Sequence, residues 1–227
     1  MESSVARALL GRYKNLVFLG ETGSGKTETA LSLAEAAAQT EGRRVHFFDM
    51  DQTKPLFRGR DAAECLRLSG VELHYEAQYL DAPTVVSGVL SSLMDENAVT
   101  LLDVGGGDHG GRMIGQFSHV LGRENCRALY LVNPYRPWSG RGEDAAETLR
   151  RVTSQSRIGD VALSANPNLG PETTAAQVLE GLERVRALFP GQRVEFVCAL
   201  ERLVPELSGR VDVPILPIRL HTLPEWY

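Results

Sequence analysis

Residues 20–27 read Gly20-Glu21-Thr22-Gly23-Ser24-Gly25-Lys26-Thr27 and match the pattern G-x-x-x-x-G-K-S/T. The apolar run before them predicts a buried strand, and the Ala-, Leu- and Glu-rich run after them, residues 28–39, predicts a helix. A glycine loop between a strand and a helix predicts phosphate binding, because glycine lets backbone N–H groups approach phosphate oxygens and the helix N-terminus adds a positive dipole end. Lys26 would reach the β- and γ-phosphates, and the Thr27 hydroxyl would ligate Mg²⁺.

Composition predicts a small domain in a reducing compartment. The chain has 227 residues, 43% of them hydrophobic, which suffices for a single domain over residues 1–227. Its net charge of −5 and pI of about 5.6 make nucleic acid an unfavourable partner. The 3 cysteines are far apart and indicate neither a disulfide framework nor a metal site. No signal region and no membrane-spanning apolar run is evident, so we expect a cytoplasmic protein without membrane contact.

Apolar runs alternate with amphipathic ones along the chain. Strands are predicted at about 15–20, 45–49, 71–75, 99–103, 127–132, 161–165, 194–200 and 213–218. Helices are predicted between them, including a short one opened by Asp61 and a long one opened by residues 172–174 and ending near Phe189. Repeated β-α-β units predict an α/β fold of three layers, the P-loop NTPase fold, in which helices flank a mainly parallel central sheet. Ligands of such sheets lie outside the carboxyl ends of the strands.

Three carboxylates end the strands that follow the glycine loop. Asp49 and Asp51 close the second predicted strand. One of them would orient a Mg²⁺-bound water while the other aligns an attacking water, or the pair merely caps the end of the strand. Asp103 ends the apolar run 99–103 and is the best candidate for the acidic Mg²⁺ partner of a Walker B strand.

Several glycines follow Asp103 directly. The backbone N–H group of Gly105 or Gly106 would contact a γ-phosphate, so that the loop relaxes when that phosphate leaves. A merely flexible loop is the alternative. This segment is therefore a candidate nucleotide-sensing switch.

Together these motifs resemble a known class of proteins. The Walker A loop, the Asp-x-Asp strand end and the Asp-x-Gly-Gly loop are similar to those of the MinD/ParA/CobQ class of P-loop ATPases, also called SIMIBI proteins. Residues 133–138 and 164–170 further resemble bacterial CobQ/CobB/MinD/ParA nucleotide-binding domain proteins. The resemblance spans nearly the whole chain. It implies an ATPase that binds ATP with Mg²⁺, commonly as a nucleotide-dependent homodimer, and uses hydrolysis to switch an unknown protein partner or deliver cargo.

The resemblance also implies a catalytic and a metal-binding set. Lys26 and Asp51 are the expected catalytic residues, with Asp51 positioning the attacking water. Thr27, Asp49 and Asp103 are the expected Mg²⁺ residues.

A third implied set surrounds the nucleotide. Asn166 would face the adenine edge, and Asn133 and Pro217 would border the base. The full predicted nucleotide-binding set is Gly20, Glu21, Thr22, Gly23, Ser24, Gly25, Lys26, Thr27, Glu28, Gly105, Gly106, Asn133, Asn166 and Pro217.

Glu21 departs from the class, which carries at this position a second lysine that reaches the nucleotide of the other subunit. A carboxylate cannot neutralise developing phosphoryl charge, so either another cation replaces the lysine or stimulated hydrolysis is lost. Lys54, Arg58, Arg60 and Arg112 are the candidate cations. In a dimer, we expect Glu21 to face away from the partner's phosphates or to bond an arginine such as Arg58, Arg60 or Arg112.

Three functional classes remain open. The leading one is an ATP-driven switch or an accessory or maturation ATPase. The second is an ATP-dependent small-molecule enzyme, such as an amidoligase or kinase, with its acceptor pocket at residues 135–141. The third is a nucleotide-binding regulator without useful turnover, which Glu21 favours. A GTPase is disfavoured because residues 166–168, Asn-Pro-Asn, differ from the N/T-K-x-D loop that reads guanine.

Overall fold

Continuous apolar runs of the sequence form the strands of one parallel sheet. The computed structural model describes residues 4–39, 43–51, 67, 69–75 and 86–221. The strands are β1 (Asn15–Leu19), β2 (Arg44–Met50), β3 (Val71–His74), β4 (Ala98–Val104), β5 (Cys126–Val132), β6 (Val161–Ala165), β7 (Val194–Leu200) and β8 (Ile215–Ile218). They lie in the order β3-β2-β4-β1-β5-β6-β7-β8, and every neighbouring pair is parallel. Parallel sheets are covered on both faces, which explains why the central strands are apolar throughout.

Helices connect the strands. The α-helices of the described residues are α1 (Ser4–Arg12), α2 (Lys26–Ala38), α3 (Val89–Met94), α4 (Gly107–Gly115), α5 (Ser118–Leu121), α6 (Gly142–Ser156), α7 (Ala175–Leu188) and α8 (Val204–Leu207). Short 3₁₀ turns occupy Pro137–Ser139 and Glu201–Leu203. In the part of the chain that the structure describes, no helix is both long and apolar enough to cross a membrane.

Alternate residues of each strand face opposite layers. On β1, Leu16 and Phe18 pack with the buried residues of α1 and α2, whereas Val17 and Leu19 pack with those of α4, α6 and α7. The same alternation divides the other central strands between two apolar cores, one on each side of the sheet. The predicted three-layer α/β P-loop fold is thereby confirmed.

The strand order places the predicted chemistry at one edge of the sheet. β1 lies between β4 and β5, where the direction of the connections reverses. Asp49 on β2 is paired in register with Asp103 on β4, and Phe18 on β1 is paired with Asp103 from the other side. Crevices at such reversal points are the usual ligand sites of α/β sheets.

Most predicted boundaries agree with the structure to within two residues. α2 begins at Lys26 rather than at residue 28, because Gly25 takes a left-handed conformation (φ 88°) and turns the loop directly into the helix. β8 begins at Ile215, two residues after its predicted start. Thr174 caps α7 in a capping box with Gln177. The helix predicted at Asp61 lies outside the described residues.

Glycines permit unusually close packing of α4 on α6. A Cβ added at Gly115 would lie 2.6 Å from the Gln155 carbonyl oxygen, and one at Gly111 would lie 2.8 Å from the Gln155 Cβ. Contacts this short leave no space for a methyl group between the two helices. α4 follows the glycine loop after β4, so this packing ties that loop to α6.

Gly115→Ala should separate α4 from α6. Because the added methyl group would meet backbone rather than a movable side chain, we expect the free energy of unfolding to fall by about 1–3 kcal/mol, measured by urea denaturation. Gly11→Ala on α1 is the matched control. Apart from its chain neighbours and the backbone of its own helix, no atom lies within 4 Å of its added Cβ, and a helical Gly→Ala change there should stabilise by up to about 1 kcal/mol. Equal effects of both substitutions would contradict the packing argument.

Candidate functional site

The loop between β1 and α2 adopts a conformation that only glycine tolerates at its key turns. Gly20, Gly23 and Gly25 have φ values of 141°, 79° and 88°. A Cβ at Gly25 would lie 1.8 Å from Asn166 Nδ2, so this position is closed to any other residue. The loop therefore delivers α2 with its N-terminus at the carboxyl edge of the sheet, as phosphate binding requires.

Lys26 places a positive charge at this edge of the sheet. Its side chain is largely buried, with a relative exposure of 7%, and its Nζ donates to the Glu21 carbonyl oxygen at 3.1 Å. This bond folds the lysine back over its own loop. The ammonium group thus sits where the loop would hold the phosphates of a nucleotide.

Asp103 is the buried carboxylate of the site. It is 2% exposed at the end of β4, and its Oδ2 accepts a 2.6 Å hydrogen bond from the Thr27 hydroxyl. Burial raises the pKa of Asp103 from 3.8 to about 7; the Lys26 charge and the Thr27 hydrogen bond oppose this rise, whereas Asp49 and Asp51 add to it. A carboxylate in this position needs a further positive charge to remain ionised.

Asp103, Thr27 and Asp49 fit a magnesium ion. Within the described chain, Asp103 Oδ1 is buried and has no hydrogen-bond partner. Asp49 is the register partner of Asp103 on the neighbouring strand. Hydroxyl and carboxylate oxygens are the donors that Mg²⁺ prefers, and an unpartnered buried carboxylate oxygen is a vacant ligand.

Asp51 lies two residues beyond Asp49 and is held by it. The Asp51 backbone N–H donates to Asp49 Oδ1 at 3.1 Å. The glycine loop after β4 packs against both loops of the site: a Cβ at Gly105 would lie 3.1 Å from Asp51 Oδ1, and a Cβ at Gly106 would lie 2.7 Å from Thr22 Oγ1. The loop after β4 is therefore in contact with Asp51 and with the phosphate loop at the same time.

These groups surround one cavity of about 350 Å³. Its walls come from the phosphate loop and the first turn of α2, from Asp49, Asp51 and Asp103, and from residues 136–138. Glu28, on the first turn of α2, lines the cavity and accepts the His221 backbone N–H at 2.9 Å. The predicted catalytic and metal-binding residues are thus brought together, as their places at neighbouring strand ends suggested.

Two predicted base-side residues hold the phosphate loop. Asn166 Nδ2 donates to the Ser24 carbonyl oxygen at 2.8 Å, and Asn133 Nδ2 donates to the Gly23 carbonyl oxygen at 3.2 Å. Both asparagines are almost fully buried. Their contact with a base stays a prediction. Pro217 lines a separate recess beside α1 and α2 and is not part of the described cavity wall.

The loop after β5 supplies two cavity residues that sequence reasoning had not assigned to the phosphate site. Arg136 Nε donates to the Gly23 carbonyl oxygen and Trp138 Nε1 donates to the Thr22 carbonyl oxygen, each at 3.2 Å. Both side chains line the cavity. They lie in the stretch 133–138 that resembles the family, but their contact with the phosphate loop depends on how the loop after β5 folds onto the loop after β1.

Glu21 is paired within its own chain. Arg151 Nη2 on α6 donates to Glu21 Oε1 at 3.1 Å. Arg151 is not among the arginines expected for this role: Arg58 and Arg60 lie outside the described residues, as does the candidate cation Lys54, and the ion pair of Glu21 is with Arg151 rather than with Arg112. Arg151 lies 130 residues from Glu21 in the sequence, so only the packing of α6 reveals the pair.

The sequence match agrees with this geometry. Residues 16–186 match the family model described as the CobQ/CobB/MinD/ParA nucleotide-binding domain. The chain belongs to this family. It is a nucleotide-binding P-loop protein, and its CobQ/CobB/MinD/ParA domain contains the whole cavity described above. No curated protein sequence matches the chain.

FtsY and FlhF are among the solved structures that share the fold of this CobQ/CobB/MinD/ParA protein. Chloroplast FtsY from Physcomitrella patens has a TM-score of 0.56 and 18% identity, over 85% of this chain and 64% of FtsY. FlhF, solved with GTP and Mg²⁺, has a TM-score of 0.51 and 16% identity, over 79% of this chain and 62% of FlhF. The chain spans less than two thirds of the length of either protein. At this identity the likeness concerns the fold alone.

Ionisation of Asp103 should destabilise the nucleotide-free protein. Because folding raises its pKa from 3.8 to about 7, the folded state holds the proton more tightly than the unfolded chain does. The free energy of unfolding should therefore fall by on the order of 4 kcal/mol as the pH rises from about 4 to about 7. Above that pH it should level off. Asp103→Asn cannot ionise at this position. Its free energy of unfolding should therefore exceed that of wild type by an amount that grows as the pH rises through this range.

Urea denaturation in EDTA at about pH 5 and about pH 8 measures this difference. We expect the advantage of Asp103→Asn to be larger at the higher pH. An advantage that does not change with pH would show that Asp103 does not titrate on folding in this range.

The Glu21–Arg151 pair should influence nucleotide affinity. In Arg151→Ala, the Glu21 carboxylate stands uncompensated beside the phosphate loop, and a partly exposed pair contributes up to about 1 kcal/mol, or about fivefold in affinity. Titration with ATP and with GTP measures the loss. In a Glu21→Gln background, Arg151→Ala should have no effect, and Arg150→Ala on the same helix is the control. Equal losses in both backgrounds would mean that Arg151 acts on the nucleotide directly.

Proposed function

We propose that this chain binds ATP with Mg²⁺, hydrolyses it, and uses the cycle as a conformational switch toward a protein partner. The observation that carries the proposal is the contact of one glycine loop with both Asp51 and the phosphate loop. A segment so placed would meet the γ-phosphate from one side and the attacking water from the other. Hydrolysis would change what this segment touches.

The chain's own residues would carry the phosphate chemistry in separate roles. Lys26 and the N-terminus of α2 would place positive charge on the phosphates. Thr27, Asp49 and Asp103 would hold Mg²⁺, which when bound neutralises phosphate oxygens as charge develops on them. Asp51 would accept a hydrogen bond from the attacking water and align it, because its carboxylate lines the cavity while its backbone is fixed by Asp49.

The contacts of α4 support a route from the cavity to the surface. The loop at Gly105 leads into α4, and α4 packs against α6 without intervening side chains at Gly111 and Gly115. Helix α6 carries Arg151, which returns to Glu21 on the phosphate loop. A shift of the loop after β4 would therefore move α4 and α6 together and disturb this ion pair.

Adenine is the proposed base. The loop after β6 begins Asn166-Pro167-Asn168, which differs from the N/T-K-x-D pattern whose aspartate binds the guanine amino group, whereas amide groups suit the adenine edge. GTP is the nucleotide in the FlhF structure, and it does not determine the base that this chain binds.

A non-hydrolysing regulator is the second candidate, and Glu21 favours it. Its carboxylate is engaged by Arg151 and brings no positive charge to a neighbouring subunit. The same pairing removes repulsion between Glu21 and a partner's triphosphate, so it is compatible with the nucleotide-dependent homodimer that we also propose.

Two substitutions separate binding from turnover. Lys26→Ala should weaken ATP binding by on the order of 2–5 kcal/mol, because it removes the buried charge that faces the phosphates. Lys14→Ala, at the other end of β1, is the matched control and should retain affinity. Asp51→Ala should retain Mg·ATP and lose at least about 100-fold in turnover. Calorimetry and phosphate release measure these effects.

Several outcomes would contradict the proposal. Normal ATP affinity in folded Lys26→Ala would reject the site, and equal loss of binding in Asp51→Ala would make Asp51 a binding residue. Wild-type binding without turnover would favour the regulator, and tighter binding of GTP than of ATP would reject the adenine assignment. A monomeric mass without nucleotide, with ADP and with a non-hydrolysable ATP analogue would remove the homodimer.

A further inference from the structure

The β2–β3 edge of the sheet brings together three metal-ligating side chains away from the phosphate cavity. His46 on β2 is the register partner of Glu72 on β3, and Phe48 is the register partner of His74. Alternate residues of a strand share a face, so His46, Glu72 and His74 all project from the same side. β3 is the edge strand of the described sheet. The cluster of these three residues is called the edge cluster below.

The ligand atoms of the edge cluster converge. His46 Nδ1 lies 2.9 Å from His74 Nε2 and 3.3 Å from Glu72 Oε2, and the three ligand atoms all lie within 4.8 Å of one another. Tetrahedral zinc with bonds of about 2.0–2.1 Å places its ligand atoms about 3.3 Å apart. The spacing of the edge cluster is close to that requirement before any ion is added.

Packing restrains the rings of the edge cluster. The His74 ring stacks on Phe48, with centroids 4.4 Å apart and an interplanar angle of 13°. Phe48 is itself fully buried in the core, so the His74 ring packs against a side chain whose position is fixed. The His46 side chain is 12% exposed and that of Glu72 is 57% exposed. An ion could therefore enter from the Glu72 side without opening the core.

Hydrogen bonds among the three side chains cannot satisfy all the polar atoms of the edge cluster at once. The same atom, His46 Nδ1, faces both the Glu72 carboxylate and His74 Nε2. A neutral imidazole has at most one proton on that nitrogen and can donate it to only one of the two. A cation at the centre accepts lone pairs from all three groups.

We propose that His46, Glu72 and His74 bind a divalent transition-metal ion of the zinc class. Two imidazoles with one carboxylate suit Zn²⁺, whereas Mg²⁺ prefers oxygen ligands alone and would remain at the phosphate cavity. Three protein ligands leave a fourth position for water or for a ligand from another molecule. The proposal does not depend on nucleotide binding, since no residue of the edge cluster lines the phosphate cavity.

Zinc binding to the full-length, nucleotide-free protein tests this site directly. The protein is stripped with a chelator, kept in excess Mg²⁺, and titrated with Zn²⁺ by calorimetry and with Co²⁺ by visible absorption. We expect one ion per chain and a Co²⁺ spectrum of a low-coordinate nitrogen–oxygen site. His46→Ala and His74→Ala should each lose at least about tenfold in Zn²⁺ affinity, because even outer-shell changes typically cost that much.

Two further variants keep the test decisive. Glu72→Gln alters an exposed side chain, so it should fold normally and still weaken Zn²⁺ binding, which covers the case in which a histidine variant does not fold. His119→Ala removes an exposed histidine of α5 and should bind Zn²⁺ as wild type does. Absence of stoichiometric Zn²⁺ binding, or binding that Glu72→Gln and the folded histidine variants leave unchanged, would overturn the proposal.

Discussion

The burial of Asp103 is the constraint around which this site is organised. β4 is buried along its whole length, and its last carboxylate is 2% exposed between neighbouring strands. Such a charge is costly unless it is compensated. Thr27 and Lys26, both at the start of α2, provide part of that compensation. The first turn of α2 must therefore remain against the end of β4, which is also where phosphates and Mg²⁺ would bind.

The phosphate loop is held from the side of β5 and β6. Asn133, Asn166, Arg136 and Trp138 all donate to carbonyl oxygens of residues 22–24. These bonds orient the peptide groups of the loop before any nucleotide arrives, so little reorganisation is needed on binding. In the binding mode that we propose, Asn133 and Asn166 would also border the base, so the same side chains would serve phosphate binding and base recognition.

β2 connects two chemically different places in the molecule. His46 belongs to the edge cluster, and Asp49, three residues later, faces the phosphate cavity on the opposite side of the strand. The two groups are related by strand geometry, because residues an odd number apart project to opposite faces. An ion at the edge cluster would join β2 to β3, at the sheet edge where β3 has no further strand neighbour among the described residues.

Local sequence determined the parts of this protein that depend on short-range geometry. The glycine pattern of residues 20–27, the apolar runs of the strands and the capping box at Thr174 each specify their conformation within a few residues. Carboxylates at strand ends indicated the candidate magnesium site, since parallel strands bring their carboxyl ends together. Only the tertiary structure decided the partners that are distant in sequence. Arg151 reaches Glu21 through the packing of α6, Arg136 and Trp138 reach the phosphate loop through the fold of the loop after β5, and His46 meets His74 through strand pairing. The reason is that these contacts depend on crossover connections and helix packing, whose outcome no local pattern of residues specifies.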